Sequence, residues 1–274
     1  MEEAHVAHSP SKLLFLLGGH DLEMVTIGTL VRAALGPEHV NDRRLPWGAR
    51  ASAYEAEIRA SLDRGLVPVL VELAYDLPPD IPRKTLIEVD HHGERAGGAQ
   101  PSSLRQVFDL LQLPPTAWTR EHDLITANDV GHMAGMRAIG ASADDIRRVR
   151  DADRRAQGVT ARDERLARAA LRRAKRRGAL LILQTGTTRT SPALDFLEPE
   201  YGGSGSGDVL VMTPAAVEFY GAGTIVDALA QEYPQSWKGG ALPLRGYWGL
   251  AGNDMHKRRR VMRRVAIRYT QLAR

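Results

Sequence analysis

Thr85-Leu86-Ile87-Glu88-Val89-Asp90-His91-His92 is the stretch on which the rest of the chain turns. Its first five residues form an apolar run that reads as a buried parallel strand, and such a strand rarely ends in a carboxylate and two imidazoles side by side without a reason. Open α/β sheets bind their ligands at the carboxyl ends of their strands. A metal or phosphate site is therefore the leading expectation.

Outward from this stretch, apolar runs alternate with amphipathic ones. Run 13–17 precedes 24–35, run 67–73 follows, run 86–89 precedes 104–111, and run 124–127 precedes 133–139. Strand followed by helix, repeated, predicts a parallel sheet with crossover helices. Segment 142–177 is polar and rich in Arg and Ala, and Gly158-Val159-Thr160 interrupts it. Thr160 with Asp163 and Glu164 behind it reads as a helix N-cap with an acidic first turn, so two linker helices are expected. Runs 179–183 and 208–212, a Gly/Ser-rich loop at 201–207 and a helix beginning near 221–230 open a second α/β region. The expected architecture is α/β: a parallel-sheet domain at 1–140, a helical linker at 141–178 and a smaller α/β domain at 179–274.

The chain has 274 residues, 43% of them hydrophobic, enough to fill one large core or two ordinary ones. It contains no cysteine. That excludes disulfides, thiolate nucleophiles, iron–sulfur clusters and cysteine-bound zinc, leaving His, Asp and Glu as ligands and Mn²⁺ or Mg²⁺ as natural ions. Run 13–17 is too short to span a bilayer and has neither the basic start nor the cleavage site of a signal peptide, so a soluble cytoplasmic protein with no membrane partner is expected. A net charge of +4 and a pI near 9.5 suit a polyanionic partner, but they suit an ordinary Arg-rich protein equally.

Four predicted strand ends deliver metal-type ligands. Run 13–17 leads into Gly18-Gly19-His20-Asp21-Leu22-Glu23, run 67–73 to Asp76, run 86–89 to Asp90-His91-His92, and run 124–127 to Asn128-Asp129. A lone Asp after a strand is usually a turn residue or cap; four in one α/β domain point to a shared site.

This pattern resembles the DHH phosphoesterase superfamily, named for the tripeptide seen here as Asp90-His91-His92. Asp76-Leu77-Pro78, with Pro82 before the strand to Asp90, is similar to the passage between the family's second and third motifs. Trp237-Lys238-Gly239-Gly240 and Gly246-Tyr247-Trp248-Gly249 are similar to the glycine-rich stretch of its carboxyl-terminal DHHA1 substrate-binding domain. The resemblance implies two Mn²⁺ ions, with Mg²⁺ or Co²⁺ as alternatives. Asp76 would bridge them, His20 and Asp21 would bind one, and Glu23, His91 and Asp129 the other. His92 would face the substrate phosphate and Asp90 would orient a ligand imidazole, which makes His92, Asp90 and Asp76 the implied catalytic set. Two cations about 3.5–4 Å apart activate a water and neutralise phosphoryl charge. Lys238 and Arg245 are the nearest phosphate-binding groups, and Gly239, Gly240, Arg189 and His132 complete the expected substrate contacts. The chain departs from the family where His20 abuts Asp21, where the second acid is Glu23, and where no His follows the carboxyl-terminal glycines.

Other readings compete at several positions. His20-Asp21 matches a local turn, or the metal pair of the helical HD phosphohydrolases, which would need a helix there. His122-Asp123 precedes run 124–127 and is expected as a surface turn. Arg189-Thr190-Ser191-Pro192 suits a phosphate but also an ordinary loop. Tyr220-Gly221-Ala222-Gly223 suits an anion at a helix start, and Tyr247 and Trp248 suit base stacking or simple packing. Residues 256–274 carry Lys257, Arg258, Arg259, Arg260, Arg263, Arg264 and Arg268 with no acid among them. Val261, Met262, Val265, Ile267 and Leu272 would dock that segment by one face, and its charges suit either a nucleic-acid backbone or a solubilising tail. The expected activity is Mn²⁺-dependent hydrolysis of phosphodiesters in short oligonucleotides or dinucleotides. A pyrophosphatase or small-molecule phosphomonoesterase on the same site, and a catalytically silent nucleic-acid-binding protein, are the alternatives. A homodimer is compatible with all three.

Overall fold

The computed structural model describes residues 8–91, 101–205 and 207–272. Two compact units meet in sequence at Gln157/Gly158.

In the first unit, strands β1 (Leu13–Gly19), β2 (Val40–Leu45), β3 (Val67–Val71) and β4 (Ile87–Val89) form a four-stranded sheet in the order β2-β1-β3-β4, parallel throughout. β1 is buried along its whole length, which explains its unbroken apolar sequence. The period-two alternation of side chains divides that run between two layers. Leu13, Phe15 and Leu17 face α1 (Leu22–Leu35) and α3 (Ser103–Leu110) through Met24, Ile27, Val31, Leu104 and Val107. Leu14 and Leu16 face α2 (Glu55–Asp63) through Tyr54 and Ile58. Each such apolar side chain contributes about 1.5–3 kcal/mol on burial.

β1 and β3 approach closely at their carboxyl ends. A Cβ on Gly18 would lie 2.3 Å from the carbonyl oxygen of Glu72, so only glycine fits. Glu72 itself has a left-handed backbone, φ 51°, uncommon for a residue with a side chain. Its N–H donates to Val89 O at 2.8 Å, and the chain then turns away, Ala74 N donating to Ala49 O at 3.0 Å.

Run 124–127 is not a strand. It lies inside α4 (Arg120–Ala138), and the cap decides this: Thr119 accepts from the His122 N–H while the His122 ring accepts from the Thr119 N–H. Four apolar residues cannot by themselves distinguish the two structures. His122 and Asp123 are accordingly not a surface turn. The His122 ring packs 5.1 Å from Trp118, and Asp123 accepts from Trp118 Nε1 at 2.7 Å. α4 is broken at His132, whose φ of 53° is non-helical.

The predicted linker divides between the units. α5 (Ala143–Ala156) packs on α4 and α1 in the first, burying Ile146 and Val149, whereas α6 (Ala161–Arg172) packs on α7 (Ser191–Asp195) in the second. Thr160 and Asp163 cap α6 as their spacing predicts.

The second unit is built on a six-stranded mixed sheet. Its strands are β5 (Lys175–Arg177), β6 (Leu180–Gln184), β7 (Asp208–Met212), β8 (Ala216–Ala222), β9 (Trp237–Gly239) and β10 (Arg245–Ala251), in the order β5-β6-β7-β8-β10-β9. Only β6 and β7 pair in parallel. One face packs α6 and α7; the other packs α8 (Gly223–Glu232) and α9 (Met255–Leu272) over Phe219 and Trp248. α9 docks through Val265, Ala266 and Tyr269, leaving Ile267 outside.

Candidate metal centre

Four side chains from separate elements converge at the carboxyl edge of the parallel sheet. Glu23 stands in the first turn of α1, Glu72 directly after β3, His91 two residues beyond β4, and Asp129 on α4. One ligand atom of each lies within 4.8 Å of all the others. His91 Nε2 is 2.7 Å from Asp129 Oδ2, 3.2 Å from Glu72 Oε1 and 3.8 Å from Glu23 Oε2. Neighbouring ligands of an octahedral ion with bonds near 2.1 Å stand about 3 Å apart, so the spacing fits one cation.

The electrostatics agree. Glu23 Oε2 and Asp129 Oδ2 are buried and receive no well-aligned hydrogen bond. Burial pushes the Glu23 carboxyl well up, and Asp129 and Glu72 push it further. Burial does the same to Asp21, again reinforced by Asp129 and Glu72. Burial opposes charge on His91, but its contacts with Asp129 and Glu72 prevail and raise its pKa to about 10. Three carboxylates around one imidazole, with Asp21 close to two of them, are a high concentration of negative charge, which a divalent cation would relieve by displacing protons. The donor set of oxygen atoms and one imidazole nitrogen suits Mn²⁺ or Mg²⁺.

The supports are equally specific. Leu104 N donates to Glu23 Oε1 at 2.9 Å and Ser103 Oγ to Glu72 Oε1 at 2.9 Å, so the start of α3 aims both carboxylates. Asp21 caps α1, accepting from Met24 N at 2.9 Å. Buried Arg150 donates to Asn128 Oδ1 at 3.0 Å and Asp153 Oδ2 at 2.7 Å, and Asp153 accepts from Leu22 N at 3.1 Å. That chain of bonds fixes α4 against the start of α1.

The structure brings together Glu23, His91 and Asp129 of the expected ligands. Asp76 stands elsewhere: its carboxylate accepts from Ser52 N at 2.8 Å and Ser52 Oγ at 2.7 Å, with Arg50 at 3.8 Å. The physical reason is the left-handed turn at Glu72, after which the backbone pairs with residues 49–51. Glu72 occupies the place sought for Asp76. Its signal was an acidic residue inside an apolar run. His20 faces Asp42 at 3.6 Å, Asp42 also having gone unnoticed in the sequence. The main-chain oxygen of Asp90 accepts from Gln106 at 3.2 Å, and His92 lies outside the described residues.

The sequence matches no family model and no curated protein. Solved structures do match. One is a DHH-domain protein described as a member of the s1p family of ribosomal proteins, at TM-score 0.56 and 11% identity, covering 95% of this chain and 87% of the other. Another is RecJ from Thermus thermophilus in complex with Mn²⁺, at TM-score 0.51 and 16% identity, covering 95% of this chain and 52% of that one. The fold is that of the DHH domain. Within this DHH fold the chain spans about half of RecJ.

The residues expected to meet substrate are not among the four that converge. His132 is exposed beside the break in α4. In the second unit, Lys238 pairs with Asp227 at 2.6 Å and Arg245 donates to Gly207 O at 3.0 Å. Arg189 follows Thr187, whose Oγ1 accepts its N–H at 3.1 Å. Gly239 and Gly240 are required by packing, because a Cβ on Gly239 would lie 2.3 Å from the Tyr247 hydroxyl and Gly240 has a φ of +99°. Trp248 is core; Gly221 and Gly223 are hemmed in by Asp208 and Pro243. No helix among the described residues is long and apolar enough to cross a membrane.

Proposed function

We propose that this chain is a metal-dependent phosphohydrolase of the DHH type, acting on phosphodiester bonds in short oligonucleotides or dinucleotides. The observation that supports this reading is the convergence of Glu23, Glu72, His91 and Asp129 on one point at the carboxyl edge of a parallel sheet. These four would hold one divalent cation, Mn²⁺ or Mg²⁺ by their donor set, with Mn²⁺ the proposed ion. Asp21, buried beside Asp129 and Glu72, and His20 are the nearest groups for a second. Bound cations would supply Lewis acidity and an activated water.

The chain's own residues do the positioning. Ser103 and the Leu104 N–H hold Glu72 and Glu23 in place, and Arg150 with Asp153 locks the helix that carries Asp129. Such supports are worth about 10–100-fold in metal affinity. His92 is proposed to face the phosphate, with Asp90 orienting the neighbouring imidazole. Lys238, Arg245 and Arg189 are the proposed anion contacts.

The test compares mononucleotide release from a dinucleotide with phosphate release from pyrophosphate, both with Mn²⁺. Dinucleotide turnover lost by about a thousandfold in Glu72→Gln, the usual scale for removing an electrostatic stabiliser, supports the reading. Faster pyrophosphate cleavage moves the substrate to the pyrophosphatase alternative. Unaltered turnover in Glu72→Gln removes the site.

A further inference from the structure

The second unit contains a cavity of about 380 Å³ between the amino-terminal half of α9 and the paired ends of β8 and β10 at Val217 and Leu250. Tyr233, Leu250 and Gly252 line one side, and Lys257, Arg260 and Arg264 the other. Arg258 also lines it. The residue is only 9% exposed, and its guanidinium donates to Gly252 O and has a buried Nε with no hydrogen-bond partner. A buried cation with no counter-charge is costly unless something anionic joins it.

None of Lys257, Arg258, Arg260 and Arg264 forms an ion pair among the described residues. Four of the five arginines of α5 differ in this respect: Arg147, Arg148, Arg150 and Arg154 are each held by an aspartate. Simple solubility would be served by charges facing away from the fold. Here the charges rim a cavity, with a buried arginine at its base.

We infer that this cavity is an anion site that takes the phosphodiester backbone of a single nucleic-acid strand. Spacing selects the ligand. At about 100° per residue, Lys257, Arg260 and Arg264 share one stripe of α9, and at 1.5 Å rise they extend about 10 Å. One phosphate group needs no such row, whereas a strand presents a repeating line of charge. Arg259 and Arg263, on the same helix, do not line the cavity. The site is independent of the metal centre, and its test is run without metal.

The full chain is titrated with a fluorescein-labelled ten-residue oligothymidylate in EDTA, following anisotropy over a series of salt concentrations. The double variant R260A/R264A is expected to bind about tenfold or more weakly, with a salt slope reduced by about 1.4, two phosphate contacts at about 0.7 each. R259A/R263A, with the same loss of charge, is expected to stay within about twofold of the parent. Circular dichroism confirms that both remain folded. Equal losses in the two variants would overturn the inference in favour of diffuse attraction. Full displacement of the strand by millimolar inorganic phosphate would reduce it to a single-phosphate pocket and overturn it too. Binding to phosphatidylserine vesicles that R260A/R264A abolishes, without oligothymidylate binding, would assign the face to membranes instead.

Discussion

Glu72 combines a strained backbone with a charged side chain, a combination that costs about 1–3 kcal/mol and persists only where surrounding structure imposes it. Gly18 imposes it here, by letting β1 pass within contact of the Glu72 carbonyl. Asp76 by contrast is held by two hydrogen bonds from Ser52. Asp76→Ala is therefore expected to lower stability by about 1–2 kcal/mol while leaving Mn²⁺ affinity unchanged in calorimetric titration. A lost Mn²⁺ signal in that variant would return Asp76 to the metal site. Glu23, His91 and Asp129 could be found as neighbours from sequence because polar residues beside apolar runs stand out. Glu72 could not. A search for aspartate passes over a glutamate that interrupts an apolar run, and no sequence pattern announces a left-handed turn.

At the scale of elements, β1, β3 and β4 were legible as apolar runs, β1 being buried throughout, whereas β2 was not, since Asn41, Asp42, Arg43 and Arg44 interrupt it and only Val40 is fully buried. α4 was not, since its four-residue apolar run fits either structure and a cap made by histidine at the third position is an unusual signal. Gly18→Ala tests how strictly the β1–β3 approach is set. The added methyl cannot clear the Glu72 carbonyl, so unfolding experiments are expected to show a loss of about 1–3 kcal/mol, and metal affinity should fall with it. A neutral substitution would mean the strands part easily. α6 offers a pH test. Hydrogen bonds from Thr160 and Thr187 lower the Asp163 pKa from 3.8 to about 2. A lowered folded-state pKa stabilises above the unfolded value and is lost as pH falls through the folded one. Acid titration of the second unit should therefore show a loss between about pH 4 and pH 2 that Asp163→Asn, already lacking the charge, does not show.

For the whole molecule, division at Gln157/Gly158 separates in sequence the converging metal-type ligands from the proposed anion contacts, all of which lie in the second unit. The polar segment between looked like a linker because charged helices expose one face. Its buried faces, Ile146 and Val149 in α5 and Ala167 and Ala170 in α6, are short and easily overlooked. Saturating Mn²⁺ at about a hundred times its dissociation constant adds about 2.7 kcal/mol to whatever binds it. Hydrogen exchange is expected to slow in β1, β3, α1 and α4 and to remain unaltered in β7, β8 and α9. Slowing spread equally over both units would place the ion elsewhere.

The four converging side chains come from distant points in the sequence, Glu23, Glu72, His91 and Asp129. An ion gripped by all of them would act as a removable staple. A protease nick anywhere between Glu72 and His91 would then leave the fragments joined while the ion stays, and a chelator would let them come apart.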